Sequence, residues 1–215
     1  ACDGTVLLGG GTSHDESEYE IFLLRWDGEQ IETLLRRSFG PNFVFALLQS
    51  GSGEIFFAPG TRGGQWAGRG IGRLREKAES GEEPEYLTSE DGLVHDRVSD
   101  LLEDGQGDLW VGTRGGLSRY DGQSFVSYTT GEGLPNDHVC CLCEAADGQL
   151  WMATDAGVVH FDGQRFQTIR SPHIGIVNRI IQDRSGAFWF ATLNGVVRYL
   201  PATTPPRVRI TSVLA

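Results

Sequence analysis

The chain has 215 residues, 39% of them hydrophobic, enough to bury a sizeable core within one domain. Its formal charge of −11 excludes the clustered Lys/Arg footprint of a nucleic-acid binder, and the lack of any run of 18 apolar residues excludes direct membrane insertion by a helix. Thirty glycines suit a chain that turns every few residues better than one built of helices.

The first predicted elements are strands. Residues 3–10 read as a turn and a strand, Ile21–Trp26 as a second strand, Asp27-Gly28 as a turn and Ile31–Leu35 as a third strand. An insertion at 11–19 separates the first two. Its acidic residues Asp15, Glu16 and Glu18, with the neighbouring Glu20, read as a solvated loop, as do Glu79, Glu82, Glu83 and Glu85 further on. Because Ala1-Cys2-Asp3 begins inside this pattern, a processed or excised segment of something longer is expected. The next unit opens on the apolar pair Val44/Leu47, turns at Ser52-Gly53 and continues through Phe56. A Gly-rich insertion at 59–70 carries Arg62, Trp66 and Arg69, and a loop at 76–84 precedes the unit's last strand.

From there the pattern recurs closely. Val98/Leu101 is followed by Gly107-Asp108, then Leu109-Trp110-Val111-Gly112-Thr113, then Arg119-Tyr120-Asp121-Gly122, then Phe125–Tyr128. The same phrases return as Val139/Leu142, Leu150–Thr154, His160–Gly163 and Phe166/Ile169, and again as Val177/Ile180, Phe188–Thr192 and Arg198-Tyr199. Trp110, Trp151 and Trp189 lie 41 and 38 residues apart. A four-strand unit of about 40 residues is the period of a propeller blade. The expected fold is therefore all-β: a single β-propeller domain over 1–215, of five four-stranded blades near 1–39, 40–88, 89–130, 131–171 and 172–200. The tryptophans occupy one position of a strand that is apolar on both faces, so burial between blades is expected of them rather than a sugar platform.

The first unit lacks an inner strand. Residues 207–215 are strand-like and, placed ahead of Ala1, bring Ile210 and Val213 into the inner-pair positions. They are expected to pair with Val6–Gly9 and close the ring, because a missing inner strand leaves a void and a missing outer strand only an edge. The rival reading makes them the outer strand of blade 5, and a fragment of a larger propeller is the alternative for the whole. Of the four cysteines, Cys140, Cys141 and Cys143 share one strand, too far apart or oppositely directed for a disulfide, and read as buried thiols. With neither a CxxC nor a Cys/His cluster in the spacing, no metal or cofactor is expected.

Gly92-Leu93, Gly133-Leu134-Pro135-Asn136-Asp137-His138-Val139 and Gly107-Asp108-Leu109-Trp110-Val111-Gly112-Thr113 through Asp121 together resemble the two-component regulator propeller repeats. The resemblance is close over 89–200 and loose over 1–88, where Phe56 or Leu7 replaces Trp. It implies the extracytoplasmic, periplasmic sensing region of a bacterial histidine kinase or hybrid regulator, often concerned with carbohydrate, with the parent's other domains as partners. It also implies that the tail 203–210 leads into a following β-sandwich, and that rings of more than five blades are common.

Propeller sites gather where loops converge at the channel mouth. The loops leading into inner strands offer Asn42, His95, Asp96, Arg97, Asn136, Asp137, His138 and His173; those between second and third strands offer Arg114, Asp155 and Asn194. Trp66, on its Gly-rich insertion, is an aromatic that can stack on a sugar or anchor a partner. Asn and Asp ahead of a strand commonly cap turns, so loop-building is the plain reading and a polar ring for a glycan or other small molecule the functional one. Asp96 and Asp137 are equivalent, as paired carboxylates for acid–base work or a divalent ion would be, but Asn42 and Gly175 take that position elsewhere, so no carboxylate ring forms. A non-enzymatic recognition module is expected. The alternatives are a propeller enzyme, such as a metal-dependent lactonase or lyase, and a protein–protein scaffold.

Overall fold

A computed structural model describes residues 6–13, 19–26, 28–38, 42–61, 68–75, 83–169, 174–201 and 209–214. Among these residues nineteen strands are distributed over five antiparallel sheets in chain order. Blade 1 holds β1 (Val6–Ser13), β2 (Tyr19–Trp26) and β3 (Ile31–Ser38); blade 2 holds β4 (Asn42–Gln49), β5 (Ile55–Thr61), β6 (Ile71–Leu74) and β7 (Glu85–Leu87). Blade 3 runs β8 (Val98–Glu103), β9 (Leu109–Thr113), β10 (Leu117–Tyr120) and β11 (Phe125–Tyr128). Blade 4 runs β12 (Val139–Glu144), β13 (Leu150–Thr154), β14 (Gly157–Phe161) and β15 (Phe166–Ile169). Blade 5 runs β16 (Val177–Gln182), β17 (Phe188–Thr192), β18 (Gly195–Leu200) and β19 (Arg209–Leu214). No helix of the described residues is long and apolar enough to cross a membrane.

The all-β propeller architecture expected from the repeat is present, with two differences at its ends. The last strand does not pair with Val6–Gly9. It lies antiparallel to β18, with Val197 opposite Val213 and Tyr199 opposite Ile210, and is the outer strand of blade 5. Among the described residues no ladder joins the first sheet to the fifth, so blade 1 has three strands rather than four. Its β1 nevertheless keeps the second-strand position. A Cβ on Gly9 would meet Val44 Cγ1 of the next inner strand at 3.0 Å, and one on Gly112 of β9 would meet Val139 Cγ1 at the same 3.0 Å. The reasoning that favoured closure weighed a void against an edge. The actual pairing satisfies the backbone groups of β18, which would otherwise form the edge. The insertion expected at 11–19 also proves partly regular, since Gly11, Thr12 and Ser13 extend the β1–β2 ladder opposite Ile21, Glu20 and Tyr19.

Among the described residues four core clusters hold the blades together, each built between two neighbours. Cys141, Trp151, Ala153 and Val158 of blade 4 meet Val177, Ile180, Phe188, Phe190, Val197 and Tyr199 of blade 5. Trp110 and Leu117 of blade 3 meet Val139, Met152 and Phe161 of blade 4. Trp110 and Trp151 are buried, as expected; Trp189 is only half-buried. The reason is its face. Ile181 and Val196 are 55% and 36% exposed, whereas Val158, the blade 4 counterpart of Val196, is fully covered by blade 5.

Blades 2, 3 and 4 also each hook the next through a recurring polar contact. The amides of Gly51 and Gly105 donate to Glu103 Oε2 and Glu144 Oε1, at 2.6 and 2.9 Å, and that of Ala146 to Gln182 Oε1, at 2.7 Å. The acceptor is always the last residue of the following inner strand. Three cysteines, Cys140, Cys141 and Cys143, are free thiols; Cys2 lies outside the described residues. Burial pushes the Cys141 thiol up to about 12.

Candidate functional site

Two 3-10 turns, Ser89–Asp91 and Thr130–Glu132, precede the inner strands of blades 3 and 4 and fix the chain at the mouth. Each is closed by a capping box, Thr88 with Asp91 and Thr129 with Glu132, and each ends on a glycine in the left-handed region, Gly92 at φ 104° and Gly133 at φ 99°. Buried Leu93 and Leu134 anchor the following residues.

Several predicted site residues are consumed by this construction. Asp96 accepts from the Ser89 amide at 2.7 Å and its hydroxyl at 3.0 Å, and Asp137 accepts from the Thr130 amide at 2.7 Å. His95 Nδ1 accepts from the Arg97 amide at 2.9 Å, and Asn136 Oδ1 from the His138 amide at 2.8 Å. His95 and Asn136 thus do one job with different side chains. Asn42 opens β4 opposite Thr61. Trp66 and His173 lie outside the described residues.

A second repeated device presents side chains at the mouth. In blades 3, 4 and 5 a threonine ends the second strand and its hydroxyl donates to a carbonyl three residues on: Thr113 to Gly116 at 2.8 Å, Thr154 to Gly157 at 3.2 Å, Thr192 to Gly195 at 2.8 Å. The same hydroxyls accept from the amides of Gly115, Ala156 and Asn194. The residue after the threonine therefore points out of a fixed turn. It is Arg114, Asp155 and Leu193 in turn, so Asn194 corresponds to Gly115 and Ala156, not to Arg114 and Asp155. In blades 3 and 5 this residue also donates its amide to the carbonyl of the residue before the inner strand, Arg114 to Arg97 at 3.0 Å and Leu193 to Ile176 at 3.2 Å.

Each blade thus shows a pair at equivalent positions. Blade 3 presents Arg97 and Arg114; burial, then the Arg114 charge, holds the Arg97 guanidinium below its usual value. Blade 4 presents His138 and Asp155, with Nδ1 3.0 Å from Oδ2. Blade 5 presents Ile176 and Leu193, which are 54% and 67% exposed. Sequence reasoning missed the blade 5 pair, and Cys140 too. Every inner strand of blades 2 to 5 carries a bulge near its start, where the register shifts across Phe45, Ser99, Cys140 or Asn178. A bulge re-aims its side chain. Cys140 Sγ accordingly lies 3.9 Å from His138 Nδ1 and 3.9 Å from Asp155 Oδ1. Burial, then the Asp155 charge, pushes its thiol up to about 11, against a smaller opposing pull from Arg114.

On the blade 2 side, Gly68 and Gly70 abut the chain ahead of β8. Gly70 donates its amide to Asp96 O at 3.0 Å, and a Cβ on Gly68 would fall 1.9 Å from that oxygen. Gly68→Ala must displace the backbone ahead of β8 and is expected to lower stability by about 1–3 kcal/mol, read from denaturant melts. Two clefts lie at the other end of the blades. One, between blades 2 and 3, is lined by Glu54, Arg73 and Glu103; the other, between blades 3 and 4, by Asp104, Arg119 and Glu144. Their polar groups are already engaged in blade construction. Arg73 donates to Glu54 at 2.6 Å, Arg119 pairs with Asp108, and Glu103 and Glu144 are the hook acceptors.

Repeated antiparallel sheets packed against one another in chain order define a β-propeller. Residues 92–115 and 133–156 match the two-component regulator propeller repeat; each match runs from the glycine that ends a capped turn through the inner strand to the threonine turn. No curated protein sequence matches the chain. Among solved structures it is similar to the extracellular domain of a hybrid two-component system of B. thetaiotaomicron, at 18% identity over 84% of this chain with a TM-score of 0.64. The chain spans only 26% of that protein. It is similar as well to a catalytically inactive virginiamycin B lyase from Staphylococcus aureus with Quinupristin, at 17% identity over 98% of this chain and 75% of that one, TM-score 0.64. A gluconolactonase of Xanthomonas campestris shares 16% identity over 80% of this chain and 64% of its own, TM-score 0.54. These likenesses establish the fold.

Proposed function

We propose that this chain is the extracytoplasmic recognition module of a bacterial signalling regulator, and that its mouth binds an acidic carbohydrate without transforming it. One observation carries the reading. Positions that build blades repeat their chemistry, whereas the paired mouth positions change from Arg97/Arg114 to His138/Asp155 to Ile176/Leu193. Blade 3 brings two positive charges together at these positions, and blade 5 leaves an aliphatic pair exposed there. A sugar carboxylate answers the first through charge-assisted hydrogen bonds, and the apolar face of a sugar ring answers the second. The relay partners would be the other domains of the parent regulator.

Thermal-shift measurements against neutral oligosaccharides, oligouronates and sugar acids test this. An acidic glycan should raise the midpoint, and Arg114→Ala should weaken it by about 10–100-fold, the loss of one hydrogen bond to a charged group. A response to neutral sugars that Arg114→Ala leaves intact, or no response at all, defeats the reading. Turnover of a lactone substrate would favour an enzyme instead.

A further inference from the structure

We infer that His138, Cys140 and Asp155 form a three-ligand binding site for a zinc-type divalent cation at the mouth of blade 4. The proposal goes beyond glycan recognition and does not depend on it.

The argument begins with donor chemistry. An imidazole, a thiol and a carboxylate lie with one ligand atom each inside a 4.8 Å sphere of mutual separation. This mixed set suits a borderline-soft ion and not Mg2+ or Ca2+, which take oxygen ligands. A tetrahedral zinc with bonds of about 2.0–2.3 Å holds its ligand atoms about 3.3–3.6 Å apart. The separations here are 3.0 Å from His138 Nδ1 to Asp155 Oδ2, 3.9 Å from Cys140 Sγ to His138 Nδ1 and 3.9 Å from Cys140 Sγ to Asp155 Oδ1. His138 and Cys140 approach opposite oxygens of the Asp155 carboxylate, and one atom from each residue lies within 4.8 Å of the others, so side-chain rotation brings a single oxygen to the required spacing.

Three independent structural devices deliver the three groups. The Asn136 side chain fixes the His138 amide, the β12 bulge inserts Cys140, and the Thr154 turn holds Asp155 out. His138 and Asp155 belong to none of the core clusters, and Cys140 is a half-buried thiol at the margin of the blade 4–5 cluster. Equivalent positions in blade 3 are Arg97, Ser99 and Arg114, and in blade 5 Ile176, Asn178 and Leu193, so the set is not a by-product of the repeat. Three protein ligands leave a fourth position open. Metal binding displaces the Cys140 proton, and the resulting thiolate together with the Asp155 carboxylate offsets the divalent charge.

Cobalt titration of chelator-treated protein is the direct test, since Co2+ takes zinc sites and reports thiolate ligation by a charge-transfer band. The band should appear with one equivalent of Co2+ and be displaced by Zn2+. Cys140→Ser should abolish it, while Cys143→Ser should leave it unchanged. Asp155→Asn, on an exposed turn, should leave the far-ultraviolet circular dichroism unaltered. It should weaken Co2+ binding by more than the about 10–100-fold that loss of an outer-shell partner costs. Absence of the band in folded protein, its survival in Cys140→Ser, or unchanged affinity in Asp155→Asn would each overturn the assignment.

Discussion

Trp110→Ala is expected to destabilise the protein by roughly 3–5 kcal/mol, the largest loss available from a single buried side chain. Trp110 is 5% exposed and lies between blades 3 and 4, stacked on Tyr128 at 6.0 Å and edge-on to Phe161 at 5.9 Å. Its Nε1 donates to Asp104 Oδ2 at 2.7 Å, and the Arg119 guanidinium covers the ring at 5.7 Å. Truncation opens a cavity between two sheets whose backbones are held in register and cannot close over it. The lost hydrogen bond matters less, because Asp104 still accepts from the amides of Gln106 and Asp108. Trp189→Ala is the internal control. Trp189 makes the same bond to Asp183 at 2.7 Å under the same cover from Arg198 at 5.6 Å, yet its outward face is uncovered. Its cost should be about half or less, since stabilisation follows the apolar area removed from water. Denaturant melts of both variants decide the matter; equal losses would mean that the outward face of blade 5 is covered in solution.

That contrast marks where sequence reading runs out. Periodicity reports which residues are apolar and how often they recur, so the blades, the turns and the burial of Trp110 and Trp151 were legible. It does not report which neighbour covers a face. Trp189 sits in the same phrase as the others and differs only because nothing in blade 5's sequence encodes the sheet beyond it. The strand 209–214 was legible as a strand, but its alternation suits an inner or an outer position equally, and only its pairing with β18 separates them. At the mouth, the ambiguity of Asn and Asp before a strand resolved into loop construction for Asp96, Asp137 and Asn136. Cys140 was read as a packed thiol on strict alternation along β12, and it does pack half-buried against the blade 4–5 cluster. The bulge breaks that alternation and places it with His138 and Asp155, a set that no linear spacing announces.

Asp100→Ala should cost about 1–3 kcal/mol, and Asp100→Asn should cost far less. Asp100 lies on β8, yet its Oδ2 accepts from the Leu142 amide of β12 at 2.9 Å and from Arg179 Nη1 of β16 at 3.0 Å, joining three inner strands. Two interactions compete to explain its role. The ion pair is between a side chain 13% exposed and one 62% exposed, so solvent screens it to the roughly 0–1 kcal/mol of a surface pair. The amide contact is different in kind. It is buried, and removing its acceptor leaves the Leu142 N–H without a partner in a channel wall. Asparagine keeps an acceptor oxygen in place and loses only the charge. The expected order of destabilisation is therefore Asp100→Ala well above Asp100→Asn and Arg179→Ala, with added salt narrowing only the two small effects. If Arg179→Ala proves as costly as Asp100→Ala, the charge pair rather than the satisfied amide binds the inner strands to one another.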